Sequence, residues 1–305
     1  MGGRALGPED KLLEPPAEYV IPADVVGRRP AGEKPVGAGA LVMQAAISLY
    51  YHFAEILKVS LLGALIAIVA LIAILGPVAA LLKGHPAWLV YANAIVLLPI
   101  LGPAYAGYQW ALLLAVQRLF PKAREVLRPF RDRTCYANVF LAAAPAYLGG
   151  VGLLALRQLS VSLADGHIAP VSPEFRQLLD EWLGPLITAL VLTPLQFAPL
   201  HALAAGANYR QAVVRSVRFA YCQSHLFGGY ALVVVGLRLL QNVLEYTLPR
   251  AEHGARVLDP TSTLGLVALA VVGMLIPLET VVGALFYREF VWREREAGAQ
   301  AARSA

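Results

Sequence analysis

Residues Arg128–Phe140 read RPFRDRTCYANVF, and residues Arg215–Phe227, 87 positions later, read RSVRFAYCQSHLF. Both follow R-x2-R-x3-C-x4-F, through Arg128, Arg131, Cys135 and Phe140, then Arg215, Arg218, Cys222 and Phe227. Each copy leaves a basic segment and enters a long apolar one. Cationic connections beside apolar stretches are the charge pattern of a chain threaded through a bilayer. Composition agrees: of 305 residues 58% are hydrophobic and 15% charged, against ~25% charged in soluble domains.

Working outward from these two stretches gives an all-α polytopic bundle of about six transmembrane helices with interfacial amphipathic helices. Residues 1–39 form a Pro- and Gly-rich tail with nearly cancelling charges and no period, expected to be disordered and cytoplasmic. Its first residues, MGGRALGPEDKLLEPP, hold no apolar core, so no cleavable signal peptide is expected. In residues 40–58, Met43, Ile47, Tyr50, Tyr51, Ala54 and Leu57 recur at helical steps, which suits either an interfacial helix or a cap on the bundle. Val59–Leu82 then carries no charge over about 24 residues, enough to cross a bilayer. Ala87–Leu119 lacks a polar break and reads as one helix kinked at Pro99 and Pro103. Further spans fall at about Tyr136–Leu156, Leu183–Ala205, His225–Leu248 and Leu264–Phe286, with a short helix, PEFRQLLDEWL, before the fourth. The six-span domain therefore covers 40–290, and 291–305 reads as a charged cytoplasmic tail.

Charge sets the orientation. Arg118, Lys122, Arg124, Arg128, Arg131, Arg133, Arg210, Arg215 and Arg218 occupy the connections at one end of the spans. Lys83, Arg157, Arg176, Arg250 and Arg256 occupy the other. The richer side is cytoplasmic, which places the chain in a cell membrane, multi-pass, with both termini inside. Each basic stretch is preceded by a span with paired prolines and followed by one with small residues. Residues 40–75 read as a third, degenerate copy. Two accounts fit: three repeated units of interfacial helix plus hairpin, or the ordinary alternation of basic loops and small-residue spans.

PILGPAYAGYQWALLLAVQR running into PFRDRTCYANVFLAA, with ANYRQAVVRSVRFAYCQSHLFGGYALVV in the second unit, resembles the YesL-type family of uncharacterised bacterial membrane proteins. The resemblance covers roughly residues 45–290 and implies a bacterial inner-membrane helix bundle. It carries no active-site residues across. The long N-terminal tail and the Arg157–Asp180 connection depart from the compact pattern.

Charged groups inside a span are costly, and they mark candidate sites. Arg238 in the fifth span and Glu279 in the sixth differ in expected depth by ~10 Å at ~1.5 Å per residue. They suit either a substrate- or ion-binding pair or an internal ion pair fixing two spans, and the structural account is preferred. Gln241 and Glu245 stand at helical spacing from Arg238, offering partners on its own helix. Freed carbonyls beside Pro99, Pro103, Pro194, Pro199 and Pro277 would suit a central site near Asn93, Gln109, Gln196 and His201. Arg124, Arg128, Arg131, Arg215 and Arg218 are candidates for lipid headgroups. No hydrolase motif, P-loop or dinucleotide fingerprint occurs, and the two cysteines form no CxxC. Neither catalysis nor a cofactor nor a metal is expected. The expected partners are the lipid bilayer and another membrane protein or a second copy, and not nucleic acid. The first functional expectation is a noncatalytic accessory or scaffold; the alternative is a small solute transporter or channel using Arg238 and Glu279.

Overall fold

The computed structural model describes residues 26–27, 29–30, 32–81, 86–117, 119, 122–167, 187, 190–247 and 263–304; among them, all regular structure is helical. The elements are α1 (Ala38–Tyr51), α2 (Phe53–Leu81), α3 (Pro86–Val116), a 3-10 helix (Ala123–Phe130), α4 (Arg133–His167), a 3-10 turn (Thr193–Leu195), α5 (Ala198–Ala205), α6 (Tyr209–Cys222), α7 (Ser224–Thr247) and α8 (Thr263–Ser304). The expected PEFRQLLDEWL helix, residues 1–25 and most of the Arg250–Thr263 loop lie outside the described residues.

Among the described residues four helices are long and apolar enough to cross a membrane, over Phe53–Ile74, Ile95–Val116, Arg133–Leu153 and Ser224–Gln241. They divide by burial. The apolar window of α3 is 67% buried, whereas those of α2, α4 and α7 are each 17% buried. So α3 is an inner helix and the other three are peripheral. On α2, Leu61, Leu65, Ile68, Val69 and Ile72 are exposed along one side, an apolar surface that would be anomalous against water and is ordinary against lipid.

The fourth expected span is not one continuous helix. After residues 190–192 the backbone tightens into the 3-10 turn, passes Gln196 and Phe197, and restarts as α5. Pro194 and Pro199 cause this, because each lacks the N–H an α-helix would use one turn earlier. Ser216 of α6 donates to the Pro194 carbonyl at 2.6 Å. In α3, Pro103 leaves the Pro99 carbonyl without its helical donor, and Tyr136 of α4 replaces it at 3.0 Å. These prolines thus tie neighbouring helices together. Gly206, at φ 60°, ends α5 in the left-handed conformation.

A short helix, a break and a long helix recur three times. Helices α1 and α6 are both 14 residues long, and each is separated from the next helix by a single residue, His52 or Gln223. The 3-10 helix and α4 are separated by Arg131 and Asp132, and Asp132 caps α4 by accepting from the Cys135 N–H at 2.7 Å. The two sequence copies are out of structural register. Cys135 lies after its break, whereas Cys222 lies before its own. What repeats is therefore the break, and not the side chains around it. Packing is cyclic: α1 sits on α8, the 3-10 helix on α3, and α6 on α5. Each cap thereby covers the inner helix of the preceding unit, and α1 closes the ring. Contact is close enough to require glycine. A β-carbon at Gly107 would lie 1.9 Å from the Val126 carbonyl oxygen, and one at Gly229 would lie 2.4 Å from Ala38 Cβ.

Two described stretches outside the expected spans differ from expectation. Residue 291 does not begin a separate tail; α8 continues to Ser304, with Val291 and Trp292 buried. The described part of the expected disordered tail lies against it. Trp292 Nε1 donates to the Val26 carbonyl at 2.9 Å. Arg29 reaches Glu289 at 2.9 Å and Glu296 at 2.6 Å, with its guanidinium 5.2 Å from the centre of the Trp292 ring. The physical reason is Glu289, whose side chain is 1% exposed and which would be costly there without donors. Its Oε1 accepts from Arg29, from Arg293 at 2.8 Å and from the Val36 N–H at 3.2 Å.

Burial alone would raise the Glu289 carboxyl, but the hydrogen bonds from Arg29 and Arg293 outweigh it and hold the group below its ordinary range. A carboxyl held lower in the folded chain stabilises the fold above its unfolded pKa, ~4.3, and stops doing so as pH falls through its folded value. Glu289→Gln should therefore cost on the order of 2 kcal/mol near pH 7, and the deficit should shrink on acidification below ~4.3. Thermal unfolding of both proteins across that window checks this; a deficit unchanged down to pH 3 would contradict it.

Candidate functional site

Small side chains leave space in the bundle where large ones would have filled it. Gly63, Ala64 and Ala67 on α2 and Ala143, Ala146 and Gly150 on α4 face a cavity of about 1060 Å³. Residues of α3, of the broken stretch 192–199, of α7 and of α8 complete its wall. Its volume sits at the top of the ~300–1,000 Å³ range of small-molecule pockets. The space is partly open and not sealed, and its largely apolar wall suits an apolar occupant better than water.

Toward the basic end the bundle is solid. Leu112, Leu113 and Leu114 of α3 are fully buried there, as are Phe197, Phe286 and Phe290. Phe219 stacks on Phe290 with ring centroids 5.0 Å apart. The cavity thus has a packed floor on that side.

Polar groups collect on one part of the wall. Arg238 of α7 and Glu279 of α8, displaced in expected depth, are in contact. Arg238 Nη2 lies 3.1 Å from Glu279 Oε2 and 3.3 Å from Oε1. One guanidinium nitrogen serves both oxygens, so this is not the two-nitrogen fork that makes arginine pairs strongest. Arg238 Nη1 turns to Gln241 on its own helix at 3.2 Å; the side chain of Glu245, the other partner expected there, lies outside the described part. The side chain of Arg238 is 41% exposed and that of Glu279 is 10% exposed. Both members of the pair line the cavity. Gln196 joins them at the break in the fourth span, where its Oε1 accepts from Tyr230 at 3.0 Å. Tyr105, Tyr108 and Tyr147 add hydroxyls, with Tyr108 paired to Ser60 at 2.9 Å. Pro277 and Gly273 also line the space; Pro277 has no N–H to offer the Gly273 carbonyl one turn earlier.

The polar candidates read from sequence do not all converge. Arg238, Glu279 and Gln196 meet at the cavity. His201 does not: it is buried near the basic end, with Nδ1 2.9 Å from Tyr287 Oη and Nε2 3.0 Å from Arg215 Nη1. Arginine can only donate, so Nε2 accepts and the ring proton sits on Nδ1, facing Tyr287. Gln109 is buried away from the cavity, and its Oε1 has no partner among the described residues. Asn93 lies in α3, but its side chain is outside the described part. Of the lipid-headgroup candidates, Arg124, Arg131 and Arg218 are exposed at the basic end. Arg215 is instead turned inward to His201 and Glu294. Arg128 lies over Trp110, 4.3 Å from the ring centre, and Arg131 pairs with Glu125 at 3.2 Å. Both cysteines are free thiols. Among the described residues no group of three His, Cys, Asp or Glu side chains could hold a metal.

Sequence reasoning missed the tyrosines. Tyr105, Tyr108, Tyr147 and Tyr230 lie well inside apolar segments, where each hydroxyl needs a partner; that is the signal by which they could have been found. No protein-family model matches this chain, no curated protein matches it in sequence, and no solved structure matches its fold. The YesL-type resemblance rests on the quoted stretches alone.

Removing one member of a buried pair costs ~3–5 kcal/mol, and the half-exposed Arg238 reduces this to about 1–3 kcal/mol. Glu279→Gln should therefore lower the thermal midpoint, and Arg238→Leu with Glu279→Leu should restore most of it. Additive losses in the double variant, measured by thermal scanning in detergent, would contradict a coupled pair.

Proposed function

We propose that the protein is a six-span cell-membrane protein, with both termini cytoplasmic, that binds a solute inside the bilayer and carries it across. Four helices meet the length and hydropathy of spans; the broken Leu190–Ala205 stretch and the first half of α8 supply the fifth and sixth. The basic end, with Arg124, Arg131, Arg210 and Arg218 exposed, faces the cytoplasm, as cationic connections do.

The observation that carries the transport reading is the cavity. It is lined by all six segments and has Arg238, Glu279 and Gln196 on its wall. A scaffold or accessory protein, the first expectation from sequence, has no use for such a void and would be more stable with Leu in place of Ala64, Ala67 and Ala146. A helix broken beside the cavity suits a carrier, because unwound backbone lining a binding space is how transporters place polar groups at mid-depth. The packed floor toward the basic end gives this structure the form of a carrier closed on its cytoplasmic side.

The solute need not be identified in advance for the test to work. Wild type and Ala146→Trp are purified from native membranes, and the small molecules retained are profiled by mass spectrometry. The expected result is a species held near one per chain by wild type and lost from Ala146→Trp, whose thermal midpoint is otherwise preserved. Identical profiles from two folded proteins would overturn the proposal.

A further inference from the structure

We infer that the ligand of this cavity is an anionic single-chain amphiphile, with its carboxylate or phosphate head on Arg238 and its hydrocarbon tail between α2 and α4. The inference rests on the solute-binding reading above and names the class of solute. Three observations lead to it.

The first is the sign of the polar wall. Arg238 and Glu279 both line the cavity, the Arg238 side chain is 41% exposed against 10% for Glu279, and the carboxylate uses only one guanidinium nitrogen. Tyr105, Tyr147 and one member of the Ser60–Tyr108 pair have hydroxyls on the same wall that can donate. A cation sharing a wall with donors selects a head group made of acceptor oxygens. The strong contacts of arginine are with carboxylate and phosphate.

The second is the rest of the wall. Away from these groups it is mostly Gly, Ala, Leu, Ile, Val and Pro from α2, α3, α4, the 192–199 stretch, α7 and α8, with Thr193 among them. A small anion such as acetate or inorganic phosphate would leave that surface unfilled. A compact polar solute would also lose its hydration there without replacement. A methylene chain meets neither objection. Along α4 alone the lined stretch runs from Ala143 to Val151, roughly 12 Å at ~1.5 Å rise per residue.

The third is location. The lining residues belong to segments whose outer faces are apolar and exposed, such as Leu61, Leu65 and Ile72 on α2. A ligand that partitions into the bilayer is already concentrated beside the bundle.

The head group could come from a free fatty acid or from a lysophospholipid, and the experiment separates them. Protein in nanodiscs is titrated with radiolabelled oleate, with oleoyl-lysophosphatidylglycerol and with uncharged mono-oleoylglycerol, using wild type, Arg238→Gln, Arg238→Lys and Ala146→Trp. Saturable binding of one or both anionic chains is expected, and whichever binds more tightly identifies the source. Arg238→Gln should weaken it by roughly tenfold to a hundredfold, the weight of a charge-assisted hydrogen bond. Arg238→Lys should recover part of that loss, which a purely structural role for the residue would not produce. Mono-oleoylglycerol should bind wild type and Arg238→Gln alike. Equal binding of charged and uncharged chains, unchanged in Arg238→Gln and abolished in Ala146→Trp, would overturn the head-group assignment while leaving the cavity reading standing. Binding of all three that is indifferent to Ala146→Trp would remove the cavity reading as well.

Discussion

Between helices in lipid there is no hydrophobic force, because hydrocarbon outside is as good a solvent as side chains inside. Everything in this bundle follows from what replaces that force. Near the basic end it is close backbone contact: Gly107 lets the Val126 carbonyl lie directly on α3, and Gly229 lets Ala38 lie on α7. Hydrogen bonds from Tyr136 to the Pro99 carbonyl, which Pro103 leaves open, and from Ser216 to the Pro194 carbonyl, at the helix break, then secure neighbouring helices. The Arg29, Glu289 and Arg293 cluster ties residues before α1 to the far end of α8 and so closes the ring on itself.

The same economy of side chains that permits close contact at one depth leaves a void at another. Gly63, Ala64, Ala67 and Ala146 are too small to meet across the centre, and the space they leave is bounded by an ion pair. The pair serves both accounts that sequence left open. It holds α7 against α8, and it lines an apolar chamber. A fully buried fork would have served the first purpose better and left nothing for the second.

Much of the architecture was legible because it follows from length and period. Uncharged runs located α2 and α3, and the switch from basic to apolar residues located the starts of α4 and α7. The partnership of Arg238 and Glu279 could be suspected from the cost of burying either alone. Other features could not be read. The break at Thr193–Phe197 could not be read from proline content, because Pro145, Pro277 and the pair Pro99 and Pro103 all sit inside unbroken helices. Arg215 and Arg218 look equivalent in sequence, but one turns inward and the other outward, which only the azimuth of α6 decides. The tail before residue 40 looked unstructured because its charges cancel within itself; Arg29 and the Val36 N–H find their partner in Glu289, more than 250 residues away.

The central claim is that the chamber beside Arg238 is an occupied binding site and not a packing flaw. A cryo-EM map of the protein in nanodiscs formed from its native membrane tests it most directly. The account requires elongated density within the chamber, ending within hydrogen-bonding distance of the Arg238 guanidinium. A map in which α2 and α4 collapse against α7 and α8, with side chains filling the space, would contradict it.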